Sequence, residues 1–84
     1  MAIFAEFAEC KNHEYGVNLP EVQSLVGELQ EYITQNYYTC TNEILVGLGQ
    51  MYVADERFKK NIDKYGEGTA EFVSNSIVVF CQEK

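Results

Sequence analysis

Apolar side chains recur along this chain every three or four residues, which is the spacing of one face of an α-helix. The pattern is clearest over residues 19–36, where Gln and Glu occupy most positions off that face. The face itself consists of Val22, Leu25, Val26, Leu29, Tyr32 and Ile33. These positions predict an amphipathic helix whose apolar side faces the core of the protein.

A similar pattern over residues 2–14 predicts a helix before this one, and the residues between them are typical of a turn. Gly16 is a candidate left-handed cap for the C-terminus of the first helix. Asn18 is a good N-cap for the second helix, and Pro20 lies in its first turn, where a missing backbone N–H does no harm.

Three further helices follow, and each begins near a residue whose side chain can accept a hydrogen bond from a free backbone N–H. We predict them over 42–53, capped by Thr39 or Thr41; over 56–65, capped by Asp55; and over 70–82, capped by Thr69 after a break at Gly66-Glu67-Gly68. Their apolar stripes are Phe58, Ile62 and Tyr65, and then Val73, Ile77, Phe80 and Cys81, widened by Phe72 and Val79. The prediction is an all-α fold, a compact bundle of about five helices.

The helix over 42–53 is unusual because apolar residues cover nearly its whole circumference. A helix without a polar face is either fully buried or lines a cavity with part of its surface. It also contains Gly47 and Gly49, each of which costs roughly 1 kcal/mol in a helix interior relative to alanine. We therefore expect its backbone to lie close to a neighbouring helix or a ligand.

Composition and charge limit the size and the partners of the protein. Its 84 residues, 46% of them hydrophobic, suffice for one domain with one core. The net charge of −7 argues against nucleic-acid contact and against docking on anionic membranes. The basic residues between 57 and 64 alternate with acidic ones, which is typical of a solvated helix face.

Candidate chemistry is sparse. The chain has no signal-peptide pattern and no membrane-length apolar run, so we expect a cytoplasmic location, where Cys10, Cys40 and Cys81 stay free thiols. Cys10 and His13 are spaced like part of a metal site, but no second histidine or cysteine pair completes it, and we expect no metal and no cofactor. A Cys40–His13 dyad has no accompanying oxyanion element, so we expect no catalysis.

Cys40 differs from the other two cysteines because it lies just before a predicted helix N-terminus, where free amides and the helix dipole lower a thiol pKa. The sequence equally allows a small buried apolar group at this position. Tyr37, Tyr38, Met51 and Tyr52 are common in cores, but Tyr and Met also line adaptable apolar binding sites.

Residues 37–77 read YYTCTNEILVGLGQMYVADERFKKNIDKYGEGTAEFVSNSI, and this run resembles the C-terminal antibiotic-recognition domain of TipA-type regulators in the MerR family. The similar elements are the aromatic pair before the cysteine, the LGQMYV-x-DERF block, the N-x-D that follows it and the glycine turn before the last helix. They cover residues 37–80 well, and the helix over 19–36 fits the same domain more loosely.

The resemblance implies an all-helical domain with globin-like packing and an apolar cleft for macrocyclic, thiopeptide-type antibiotics. In the regulators such binding switches on the transcription of multidrug-resistance genes. It further implies that a cysteine placed like Cys40 adds to a dehydroamino acid of the drug, a Michaelis addition for which an activated thiol is suited. The winged helix-turn-helix and long dimerising helix of MerR regulators have no counterpart in this sequence. We expect one ligand-binding domain over 1–84, shortened on its N-terminal side.

The first hypothesis is therefore a non-enzymatic domain that binds an apolar, macrocyclic peptide-like antibiotic as a monomer or weak homodimer. Its expected ligand-binding residues are Cys40, Tyr37, Tyr38, Leu48, Met51, Tyr52, Phe4 and Phe7. The second hypothesis is a protein-interaction or dimerisation module whose cleft accepts a partner helix. A thiol-dependent enzyme is a third and weaker hypothesis.

Overall fold

The computed structural model describes residues 2–82, and in this range the chain forms five α-helices without any strand. They are α1 (Ala2–Asn12), α2 (Pro20–Asn36), α3 (Asn42–Ala54), α4 (Glu56–Asp63) and α5 (Thr69–Gln82). The all-α prediction is confirmed. Among residues 2–82, no helix has the length and the apolar character that crossing a membrane requires.

Helix α5 occupies the centre of the fold, because it packs against each of the other four helices. Its exposed positions form one narrow stripe of Glu71, Asn75, Val78 and Gln82. The buried part is wider than the apolar pattern predicts and includes Thr69, Ser74 and Ser76. The hydroxyl of Ser76 donates to the carbonyl oxygen of Phe72 at 2.7 Å, which satisfies this polar group inside the core.

The other helices supply the surfaces that enclose α5. Helix α2 buries Val22, Leu25, Val26, Leu29 and Ile33, as its periodicity predicts. The placement of Tyr32 on that buried face is wrong, since its side chain is 42% exposed. A tyrosine at the edge of an apolar stripe keeps its hydroxyl in water by turning outward.

The turn between α1 and α2 differs from the prediction. Glu14, and not Gly16, takes the left-handed conformation, with φ at 61°. The amide of Tyr15 donates to the carbonyl oxygen of Cys10, and that of Glu14 donates to Lys11, both at 3.0 Å. This hydrogen-bond pair is a Schellman motif that ends α1. The N-cap of α2 is Leu19 and not Asn18, and no side chain caps this end with a hydrogen bond. Pro20 is the first residue of the helix, as predicted.

The caps of the later helices are partly as predicted. Thr41 accepts a hydrogen bond from the amide of Ile44 at 3.2 Å, and Asp55 accepts one from the amide of Arg57 at 2.9 Å. Thr69 is not the cap of α5, because its hydroxyl donates to the carbonyl oxygen of Gly66. Asp63, seven residues upstream, accepts from the amide of Ala70 at 2.9 Å and so ties α4 to α5.

The two glycines of α3 have different surroundings. A methyl group built on Gly49 would lie 3.2 Å from Cδ1 of the fully buried Ile77, so α3 and α5 approach each other closely at this point. The same group on Gly47 would meet no atom within 4 Å. The expected close approach is therefore confirmed at Gly49 and wrong at Gly47.

This difference predicts opposite effects for two equivalent substitutions. Gly47→Ala should stabilise the protein by about 1 kcal/mol, because alanine is the better helix former and open space surrounds the site. Gly49→Ala brings the same gain, but we expect overpacking against Ile77 to outweigh it and to leave the variant about 1 kcal/mol less stable than wild type. Urea denaturation of both variants checks this, and equal stability of the two would contradict it.

The cap of α3 gives a second prediction with a matched control. Thr41→Ala should lower the free energy of unfolding by about 1 kcal/mol, because the amide of Ile44 loses its acceptor. Thr39→Ala removes the same atoms two residues upstream from an exposed position that is not the cap, and we expect little change. Thermal denaturation followed by circular dichroism distinguishes them, and a larger loss at Thr39 would refute the assignment.

Candidate functional site

An open groove of about 420 Å³ lies beside α3 and α4. Most of its wall is apolar or aromatic, and every helix except α5 contributes to it or to its immediate border. The wall consists of Phe4, Ile33, Tyr37, Tyr38, Leu48, Met51, Tyr52, Phe58, Asn61, Ile62, Lys64 and Tyr65. This volume lies in the lower part of the range for sites that bind drug-sized molecules.

The wide apolar surface of α3 explains why this helix borders the groove. Leu45, Gly49 and Tyr52 face the core, and Leu45 and Gly49 are turned away from the groove. Leu48 and Met51, on the neighbouring side of the helix, remain half-buried and face the groove. One part of the apolar surface of α3 therefore packs into the core, and another part forms the groove wall.

The loop after α2 is held in place by hydrogen bonds to α2 itself. The amide of Cys40 donates to Oγ1 of Thr34 at 3.1 Å, and its carbonyl oxygen accepts from Nε2 of Gln30 at 3.0 Å. Gln30 also donates to Oδ1 of Asn42 at 2.8 Å, at the start of α3. These bonds hold the end of the connection that leads into α3 against α2, and Tyr37 and Tyr38 lie in the short segment between them.

The residues that the sequence missed come mainly from α4 and the turn after it. Phe58, Ile62 and Tyr65 share one side, as predicted, but only Ile62 is buried. A helix of eight residues is too short to cover this stripe against the core, so the two aromatic rings remain exposed and line the groove. The spacing of these residues predicted that they share one face of the helix. The sequence did not show that this face would stay exposed.

Aromatic rings dominate the character of the groove. The ring of Tyr52 lies 5.7 Å from that of Phe4 and 6.0 Å from that of Phe58, measured between centroids. Tyr37 and Tyr38 at the rim are 68% and 49% exposed. Burial, with the nearby Tyr38 and Cys40, raises the pKa of Tyr52 to about 12, so its phenol stays protonated at neutral pH. The groove therefore offers apolar surface together with the neutral phenol of Tyr52.

Cys40 lies behind this wall. Its side chain is only 4% exposed, and its Sγ donates to the carbonyl oxygen of Thr41 at 3.8 Å. Burial, followed by the neighbouring Cys81, raises the pKa of the Cys40 thiol. The expectation of a lowered pKa is therefore wrong, because desolvation of the thiolate outweighs the effect of the helix N-terminus.

The eight expected ligand-binding residues fall into two groups. Six of them line the groove together, namely Tyr37, Tyr38, Leu48, Met51, Tyr52 and Phe4. Phe7 does not, because it is fully buried and packs edge-to-face against Phe72 at 6.5 Å between ring centroids. Cys40 is also outside the lining. Phe4 and Phe7 are three residues apart on α1, and the tertiary packing turns one to the groove and the other to the core.

Comparison with known proteins finds one matching family model and several similar proteins. The family model of the TipAS antibiotic-recognition domain matches residues 1–80. The HTH-type transcriptional activator mta of Bacillus subtilis is 39% identical over 71 residues, which are 84% of this chain and 28% of that protein. The HTH-type transcriptional activator TipA of Streptomyces coelicolor is 44% identical over 46 residues, which are 55% of this chain and 18% of TipA.

The TipA protein of Streptomyces lividans matches with the same identity and coverage. The chain therefore spans well under a third of the length of these relatives. No solved structure matches the chain.

The buried thiol gives a prediction about reactivity. Iodoacetamide reacts with the thiolate, so Cys40 should be alkylated several-fold more slowly in the folded protein than in the urea-unfolded chain. Because folding raises the pKa of Cys40, its alkylation rate should increase with pH over a higher pH range in the folded protein than in the unfolded chain. Peptide mass spectrometry over a pH series measures both quantities. Equal or faster alkylation of the folded protein at neutral pH would contradict this.

Proposed function

The chain belongs to the family of TipAS antibiotic-recognition domains, and on that premise we propose that its groove binds an apolar antibiotic of the macrocyclic, thiopeptide type. The observation that supports this most directly is the groove itself. Six residues that sequence reasoning selected for ligand binding converge on it from two helices, α1 and α3, and from the loop after α2.

The exposed aromatic rings favour a bound ligand over an empty surface. Tyr37, Tyr38, Phe58 and Tyr65 are all exposed around the groove, and such clustered apolar exposure is typical of interaction sites. Burial of an aromatic ring of this size contributes strongly to affinity. Since 420 Å³ is small for a macrocycle, one apolar part of the ligand would enter the groove, and the rest would lie over Tyr37 and Tyr38.

We propose that binding in the groove is mainly non-covalent. Cys40 would form a covalent bond to the ligand only in a second step, after the groove wall has opened. Tyr52 lies near the Cys40 thiol, and burial of the thiol disfavours the reactive thiolate. This makes recognition by apolar area and ring contacts the first step. A Michaelis addition at Cys40 would then require displacement of the groove wall.

The relatives suggest what ligand binding would control. The mta and TipA proteins are HTH-type transcriptional activators, and this chain matches less than a third of each. We propose that the domain acts as the non-enzymatic, effector-binding part of such an activator. In that role occupation of the groove would be the signal that controls transcription of resistance genes.

A groove with exposed aromatic rings could also accept an apolar partner helix or a second copy of the chain. The open rim formed by Tyr37 and Tyr38 is the observation in its favour. Sedimentation at several protein concentrations without ligand separates the two functions. A tight homodimer that protects the groove residues would support the interaction module instead.

Titration with thiostrepton tests the proposed function. We expect saturating drug to raise the unfolding temperature, because a ligand that binds only the folded state stabilises it. Amide NMR signals of Leu48 and Met51 should shift. Intact-mass measurement under denaturing conditions then separates a covalent adduct at Cys40 from non-covalent binding.

Two exposed tyrosines provide a variant and its control. Tyr38→Ala should weaken thiostrepton binding about tenfold, because it removes one aromatic wall of the groove. Tyr15→Ala truncates a similarly exposed tyrosine that contacts His13 away from the groove, and binding should be unchanged. If saturating thiostrepton shifts neither the melting temperature nor the NMR spectrum, thiopeptides are excluded as ligands.

A further inference from the structure

The groove has an uneven distribution of charge. The protein carries 13 acidic residues and a net charge of −7. Of the residues that the structure describes along the groove wall, none is acidic and one, Lys64, is basic. The site that would contact a ligand is thus opposite in charge to the rest of the molecule.

Lys64 differs from Arg57 and Lys59 in how its charge is used. Arg57 Nε lies 3.6 Å from Oδ1 of Asp55, and Lys59 Nζ lies 4.0 Å from Oδ2 of Asp63, so both cations have carboxylate partners. Within residues 2–82, no carboxylate forms an ion pair with Lys64. Its positive charge is therefore available to a molecule in the groove.

The position of the Lys64 ammonium also affects the aromatic wall. Its Nζ lies 5.5 Å from the centroid of the Tyr65 ring, in the geometry of a cation–π contact. Aromatic faces usually attract cationic ligands, but the protein's own ammonium group already covers one face of the Tyr65 ring. A lipophilic cation entering the groove would lose that face and would meet a like charge beside it.

We propose that the groove selects neutral and anionic apolar ligands over lipophilic cations, and that Lys64 sets this preference. Asn61, next to Lys64 on the same wall, supplies an amide that can donate to carbonyl groups of a neutral ligand. The preferred molecule has an apolar body with acceptor or acidic groups at the end that meets Asn61 and Lys64. This inference rests on the proposed function, because it concerns the same groove.

Probes of equal shape and opposite charge test the preference. N-phenyl-1-naphthylamine, a neutral fluorophore, first reports whether the groove takes an apolar molecule. Tetraphenylborate and tetraphenylphosphonium then displace it in parallel titrations. A salt concentration of about 0.15 M limits the reach of the protein's overall charge to roughly 8 Å, so that the local cation dominates. We expect tetraphenylborate to displace the fluorophore at the lower concentration.

Two lysine variants assign the effect to a residue. Lys64→Met keeps an unbranched side chain one atom shorter and removes its charge, so the borate affinity should fall about fivefold and the phosphonium affinity should rise by a similar factor. Lys60→Met removes the same charge from a position outside the groove and should leave both affinities unchanged. Circular dichroism verifies that both variants keep their helix content.

The outcomes distinguish this inference from the proposed function. If the neutral fluorophore does not bind, the groove is not an apolar ligand site, and both proposals fail. If it binds but tetraphenylphosphonium competes as well as tetraphenylborate, the charge preference alone is refuted. If the ratio of the two affinities is the same in Lys64→Met and in the wild type, Lys64 does not set it.

Discussion

The close contact between α3 and α5 is the constraint on which the rest of the structure depends. Gly49 lets Ile77 approach the backbone of α3, where any side chain would crowd it. Because α5 also packs against α1, α2 and α4, it fixes the position of every other helix. The orientation of α3 follows from this contact. With Leu45, Gly49 and Tyr52 turned toward the core, Leu48 and Met51 are left to border the groove.

Burial and activation of the cysteine compete in this fold, and burial prevails. A helix N-terminus lowers a thiol pKa only when its free amides can stabilise the thiolate. At the start of α3, the Thr41 hydroxyl already accepts from the amide of Ile44, and the Cys40 thiol donates to a carbonyl oxygen. Desolvation then raises the pKa of Cys40. The chemistry of the site consequently belongs to the aromatic wall, with the sulfur beneath it.

An exposed aromatic groove has a cost for a domain of this size. Small domains bury a smaller share of their surface and have a thin margin of stability. Tyr37, Tyr38, Phe58 and Tyr65 leave apolar area in water that could otherwise have stabilised the core. A ligand that covers these rings recovers this contribution, which links occupation of the groove to the stability of the fold. Under the proposed function, such a link lets the ligand favour one state of the chain.

Interactions between residues that are close in sequence largely determine where the helices of this protein form. The periodicity of Val22, Val26 and Leu29 and the capping chemistry of Thr41 and Asp55 depend only on neighbours in the sequence, and the structure agrees at these positions. Membership of the family was also readable, because the block around Met51 and Tyr52 is contiguous.

Long-range contacts decided the remainder. Asp63 reaches the amide of Ala70 only because the chain folds back after α4, and Phe4 and Phe7 differ in environment only because α1 is docked on α5. Cys40 is buried, and Cys81, far away in sequence, lies close enough to raise its pKa further. Lys64 likewise reads as part of a solvated charged helix until the tertiary structure brings it to the wall of an apolar groove. Spacing along a helix shows which side chains share a face, but only the neighbouring helices determine whether that face meets protein, ligand or water.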